Sequence, residues 1–286
     1  MANDPMPSVR RPARIGGYQI LAAIAKGGMS VVYRALDTGH QRETALKVML
    51  PELSKKPNLL ERFHREGRLG AKLQHENIVR VYESGERHGL HFMALELVEG
   101  IDLDFHLEQR GRLPPDEAIQ LMGQAARALA HMHDKKIIHR AIKPANFILA
   151  QSNGQSCMKL IDLGLAREKN DDEQRIARAG TSLGTVDYMA PEQAKDSSAA
   201  DVRSDIYSLG CTWYELLAGR PPFPDGDLAE RIQQHAEVEP PDVRQFSPPT
   251  TVAMVKTLQR MMAKDPTCRY QTPAELLLDL AACQAR

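Results

Sequence analysis

After Glu99-Gly100 the hydrophobic pattern of the chain changes to long helices, and that change limits the folds open to it. Before it, β-rich runs such as Ser30-Val31-Val32-Tyr33 and Ala45-Leu46-Lys47-Val48 alternate with turn-forming Lys26-Gly27-Gly28 and Asp37-Thr38-Gly39, which predicts a meander of antiparallel strands over 18–49. Residues 53–73 carry helical spacing, and 77–84 and 90–97 read as two more strands around Gly85-Glu86-Arg87. After the change, Pro114-Pro115-Asp116 opens a helix with Ile119, Met122, Ala126 and Leu129 on one face. Further helices are predicted over 204–218, stopped by Gly219 and Pro221-Pro222, and over 228–235, 251–262 and 273–282. The expected class is α+β: a small antiparallel sheet with one helix in 18–98, a mainly helical part in 99–286, and a flexible lead-in over 1–17.

Bulk properties narrow the function classes. Lysine plus arginine equal aspartate plus glutamate, so no global charge favours nucleic acid or an anionic membrane surface. No apolar run approaches the ~18 residues that cross a bilayer, so no membrane contact is expected within this chain. Cys157, Cys211, Cys268 and Cys283 form neither a CxxC pair nor a metal-ligand spacing, which fits free thiols in a reducing cytoplasm. His131 and His133 lie two apart on a predicted helix and do not share a face, which argues against a metal there.

Three stretches carry chemistry. Ala25-Lys26-Gly27-Gly28-Met29-Ser30 lies between strands, where glycines let a hairpin lower its backbone over phosphates, although two positions usually glycine in such loops are Ala25 and Ser30. Lys47 sits within the apolar run 44–48 and needs an anion if it faces inward, which Glu66 on the following helix can supply. The third is His139-Arg140-Ala141-Ile142-Lys143-Pro144-Ala145-Asn146, followed by Asp162-Leu163-Gly164. It resembles the catalytic loop and metal-binding triplet of the protein kinase family. Gly184-Thr185-Val186-Asp187-Tyr188-Met189-Ala190-Pro191-Glu192 resembles the end of a kinase activation segment. Gly-Gly-Met-Ser-Val-Val-Tyr and Tyr-Met-Ala-Pro-Glu-Gln look most like the eukaryotic-like Ser/Thr kinases of bacteria, and Lys143 and Thr185 look like the Ser/Thr branch.

The resemblance covers roughly 18–282 and implies a bilobal protein kinase fold that binds ATP with Mg²⁺ and transfers the γ-phosphoryl to Ser or Thr hydroxyls of a protein substrate. It implies a nucleotide lined by Ala25, Lys26, Gly27, Gly28, Val32 and Ala45, with its adenine edge on main-chain groups near a hinge at Glu96 and Val98. Lys47 would anchor phosphates, Glu66 would position Lys47, Lys143 would neutralise the moving phosphoryl, and Asn146 and Asp162 would hold Mg²⁺. Asp205 is expected to brace the catalytic loop and Arg269 to pair with Glu192. Oligomeric state is open at this point, a homodimer through the first lobe being one of the alternatives.

The departure is Ala141, which stands where the family places the aspartate that orients the attacking hydroxyl and accepts its proton. A natural pseudokinase, serving as a nucleotide-binding scaffold, and a working kinase altered at one residue both account for it. Two regulatory expectations complete the reading. Gly67 and Gly70 predict a loosely held helix around Glu66, and Thr181 and Ser182 are the expected phosphorylation sites, with Arg140 offering a guanidinium to the phosphate.

Overall fold

The computed structural model describes residues 13–152, 154–168 and 186–284. Thr181, Ser182, Gly184, Thr185, residues 169–173 and residues 1–12 of the lead-in expected over 1–17 lie outside them, whereas Arg14–Ile15 of that lead-in form a strand with Ile15 buried. The chain divides into two compact units, 1–71 with 81–97, and 72–80 with 98–286. The sequence boundary at 98 puts 72–80 with the first part, whereas these residues group with the second unit. The reason is local: Val79 N donates to Leu160 O (2.9 Å) and Leu160 N to Asn77 O (2.9 Å). The buried Asn77 amide also donates to Met158 O (2.9 Å). The strand expected over 77–84 therefore starts only at Val81.

The first unit holds β1 (Arg14–Ile15), β2 (Tyr18–Lys26), β3 (Ser30–Asp37), β4 (Arg42–Met49), α1 (Pro51–Ser54), α2 (Pro57–Ala71), β5 (Val81–Arg87) and β6 (Leu90–Glu96). Its strands form a six-stranded antiparallel sheet in the order β1-β2-β3-β4-β6-β5. Alternation along β3 and β4 sends Tyr33, Ala35, Leu46 and Val48 into one core with Tyr18, Phe92 and Ala94. Met49 and Met93 pack instead with Phe63 of α2. The single helix expected over 53–73 is two, because Pro57 lacks the N–H that would continue the turn of α1.

The second unit contains β7 (Gly100–Asp102), α3 (Leu103–Arg110), α4 (Pro115–Asp134), β8 (Ile137–Ile138), β9 (Phe147–Ser152), β10 (Gln155–Leu160), β11 (Arg167–Glu168), α5 (Pro191–Lys195), α6 (Val202–Ala218), α7 (Leu228–Glu237), α8 (Val252–Met261) and α9 (Pro273–Gln284). β7 and α3 are additions to the sequence reading. Asp102 caps α3 by accepting from Phe105 N (2.7 Å), but the apolar stripe behind it is only Leu103 and Leu107. Helix α6 is buried on all sides. It starts in a capping box between Asp201 and Ser204 and ends at Gly219 in the left-handed region (φ 74°).

Gly67 overturns the expectation of a loose α2. A Cβ there would stand 2.8 Å from Cβ and Oγ of Ser84, so the missing side chain is what lets the helix lie against β5. Helix α2 runs unbroken through both glycines, and Phe63, Glu66 and Leu69 on it are buried. Gly67→Ala is expected to lower stability by about 1–3 kcal/mol despite alanine's better helix propensity. Ser84→Gly in the same chain should recover much of that loss, as read from urea unfolding of both variants.

Candidate active site

In the first unit, antiparallel register puts the candidate nucleotide residues on one face of the sheet. Ala25 pairs with Val32, Val32 with Lys47 and Lys47 with Met93, while Ala45 pairs with Leu95. Facing partners on antiparallel strands project to the same side, so Ala25, Val32, Ala45 and Lys47 share a face. Lys26, Gly27 and Gly28 lie at the β2–β3 connection, tightened by Gly27 N donating to Ser30 O (2.8 Å). Met93 packs against α2 on that side, which brings Glu66 to Lys47. Nζ of Lys47 and Oε1 of Glu66 are 2.5 Å apart, with Glu66 buried. Glu96 ends β6 opposite Thr44, and Val98 opens the second unit's main segment.

In the second unit the loop 139–146 hangs on one buried carboxylate. Asp205, in the first turn of α6, accepts from His139 N through Oδ2 (2.8 Å) and from Arg140 N through Oδ1 (2.7 Å). Burial pushes its carboxyl up to about 7, against the downward pull of those two N–H groups and of Arg140. His139 is also buried, and its Nδ1 accepts from Ala141 N (3.2 Å), so the ring proton sits on Nε2. Burial brings that imidazole down to about 4, with Asp162 pulling the other way, so the ring is neutral near pH 7.

Arg140 takes φ 65°, a conformation that costs a non-glycine residue of order 1–3 kcal/mol and persists only when its surroundings fix it. Its N–H is held by Asp205, its Nε donates to Leu165 O (2.7 Å), and its carbonyl accepts from Gln193 Nε2 (2.9 Å). The next carbonyl, of Ala141, accepts from Asn146 Nδ2 (2.7 Å). That bond spends the amide's donor end on the loop and leaves Oδ1 as its ligand atom. Asp162 Oδ1 accepts from Gly164 N (2.8 Å), and Ile161 N donates to Asn146 O (3.0 Å), joining the two oxygen-bearing residues through the main chain. An amide oxygen and a carboxylate are the hard donors that Mg²⁺ takes, so the residues present fit that ion. Lys143 flanks them, and its carbonyl accepts from Asn146 N (3.0 Å).

Behind the loop, Glu192 and Arg269 form a bidentate pair, Nη1 to Oε1 at 2.7 Å and Nη2 to Oε2 at 2.9 Å. Arg269 is 1% exposed and spends its other N–H bonds on Ala263 O, Arg203 O and Lys264 O. Ser204 Oγ adds a bond to Glu192 Oε1 (2.6 Å).

A family model described as "Protein kinase domain" matches residues 18–278. The chain belongs to the protein kinase family. It is 36% identical over 280 residues to a probable serine/threonine-protein kinase of Streptomyces coelicolor, covering 96% of this chain and 41% of that protein. Against the serine/threonine-protein kinase PrkC of Bacillus subtilis it is 36% identical over 266 residues, covering 93% of this chain and 40% of the relative. This kinase domain thus spans about two-fifths of the length of those relatives. The Mycobacterium tuberculosis PknI kinase domain superposes with a TM-score of 0.73 at 27% identity, over 94% of this chain and 97% of that one. These likenesses identify a Ser/Thr protein kinase domain of the eukaryotic-like bacterial type, with the protein kinase fold. Kinases of this family use ATP and Mg²⁺.

Gln193 and Leu165 take part in this frame and escape the sequence reading. The carbonyl of Leu165 acts regardless of residue type. Gln193 follows the Ala-Pro-Glu motif directly, and only the fold reveals that its amide reaches back to Arg140.

Arg269→Ala is expected to destabilise the domain by about 2–4 kcal/mol, because it removes a fully buried side chain and leaves the half-buried Glu192 without its cation. Burial raises the Glu192 carboxyl, but the bonds from Arg269 and Ser204 outweigh it, and the net shift is downward. The stability this shift contributes is therefore present above the unfolded glutamate value of about 4.3 and is lost as pH falls through the lower folded value. Thermal unfolding of parent and variant should converge across that acidic range.

Proposed function

We propose that the chain binds Mg-ATP and is a Ser/Thr kinase domain whose phosphoryl transfer to a protein substrate is slowed by the methyl group at Ala141. The observation that carries this reading is how the loop uses residue 141. Its bonds to His139 and Asn146 are made by its main chain, so a side-chain change leaves the frame standing and removes only the carboxylate. Asn146 and Asp162 would hold Mg²⁺, Lys47 held by Glu66 would anchor phosphates, and Lys143 would face the transferring group. Ala25, Lys26, Gly27, Gly28, Val32 and Ala45 would line the nucleotide, with main-chain groups at Glu96 and Val98 meeting the adenine edge. The bound nucleotide supplies the phosphoryl group. A methyl at 141 neither orients a hydroxyl nor takes its proton, a role whose loss costs about 10²–10⁴-fold.

Cytoplasmic placement and pairing of two copies through the first unit belong to the same reading, as do Thr181 and Ser182 as phosphorylation sites. Among the described residues no helix is long and apolar enough to cross a membrane. A second reading, a nucleotide-binding scaffold that transfers nothing, is favoured by Ala141 alone.

Calorimetric titration with ATP and Mg²⁺ should show binding by the chain as it stands, and no heat or thermal shift at millimolar nucleotide would overturn that part. Ala141→Asp should raise transfer to a generic basic protein by about 10²–10⁴-fold. The gain should vanish on adding Lys47→Met or Asp162→Asn. An Ala141→Asp chain that binds ATP but transfers nothing above its parent favours the scaffold.

A further inference from the structure

We infer that Gln193 is a positioning residue for the metal site, acting through the Arg140-Ala141 peptide to aim the Asn146 amide. The inference rests on the Mg-ATP reading above and adds to it a residue that touches neither metal nor nucleotide.

Two observations converge on Gln193. First, its side-chain oxygen Oε1 is buried without a hydrogen-bond partner, while Nε2 donates to Arg140 O at 2.9 Å. A buried acceptor left unsatisfied is a cost that an apolar side chain of similar size would avoid, so the amide is used for its donor end. Secondly, the carbonyl it holds belongs to the residue at φ 65°. The N–H of Arg140 is fixed by Asp205 on one side, and Gln193 fixes its carbonyl on the other. Asp205 thus holds the peptide before Arg140, while Gln193 and His139 Nδ1 hold the carbonyl and the N–H of the peptide that leads into Ala141.

The consequence passes along the chain by single bonds. The orientation of the Arg140-Ala141 peptide, with the His139 Nδ1 bond to Ala141 N, sets where the Ala141 carbonyl points. That carbonyl receives Asn146 Nδ2 at 2.7 Å, which decides where Asn146 presents its oxygen. Gln193, Ala141 and Lys143 also line one small cavity, so the clamp lies beside the position where the substrate hydroxyl would be received. Losing the Gln193 donor frees the carbonyl of a strained residue and loosens the aim of a metal ligand two bonds further on. Outer partners of this kind change metal affinity by about 10–100-fold when removed.

The test is binding of a non-hydrolysable ATP analogue by the 286-residue chain, with saturating Mg²⁺ and again in EDTA, by calorimetry. Gln193→Glu keeps shape and size but replaces the donor with a carboxylate. Gln193→Met removes both polar atoms and adds no charge, so it serves if the first variant folds poorly. The expected result is that the Mg²⁺-dependent gain in affinity falls by about tenfold in each variant, while affinity in EDTA matches the parent. A gain equal to the parent's in a folded variant overturns the inference. Equal losses with and without Mg²⁺ overturn it too, since they mark a general packing role. A parent that binds no nucleotide under either condition overturns the Mg-ATP reading and this inference with it.

Discussion

The buried carboxylate of Asp205 is the interaction on which the second unit's chemistry depends. It lies within the core helix α6, away from water, and its cost is offset by two main-chain N–H groups, the first-turn position on the helix and the nearby Arg140. Since the two N–H groups belong to consecutive loop residues, one side chain holds two successive peptide planes. The loop from His139 to Asn146 then hangs from the most buried helix of the unit, and a strained residue at its centre is held from both sides.

The frame is made of hydrogen-bonded joints, the best satisfied of which lies behind the loop. Glu192 and Arg269 meet bidentately, and the guanidinium distributes its remaining bonds over three carbonyls. In the first unit, Lys47 and Glu66 are brought together by a sheet face and a helix that lies close because Gly67 has no side chain. Such pairs are weak sources of net stability but costly to leave half-made, so they act as fixed joints. The frame uses residue 141 through its main chain. Residue 141 contributes an N–H and a carbonyl, which alanine supplies as well as aspartate does.

Much of this was legible beforehand where a signal is local. The meander over 18–49, the helices after 200 and the candidate ligands Asn146 and Asp162 each rest on a pattern a few residues long. The two boundary errors around Asn77 share one cause. Asn77 to Val79 has strand-like composition, but its hydrogen bonds go to Leu160 and Met158, and the pairing partner of a segment is not written in the segment. The glycines of α2 misled for a related reason: propensity counts the entropy cost of Gly67, whereas the neighbour that makes it necessary, Ser84, is far along the chain.

By itself the sequence determined which kinds of residue were present and in what order: a lysine in an apolar strand, an amide and a carboxylate at kinase spacing, and a methyl at the position where the family places a carboxylate. Those follow from side-chain chemistry and short-range periodicity, which need no knowledge of what lies opposite. Tertiary structure alone decided that Asp205 spends both oxygens on neighbouring amides, that Arg140 sits in the left-handed region, and that Gln193 reaches back 53 positions to hold it. Each of these depends on distance and direction between segments remote in the chain. Hydrogen bonds from Asp205 and Ser204 of the buried helix α6 to the loop and to Glu192 tie those segments together.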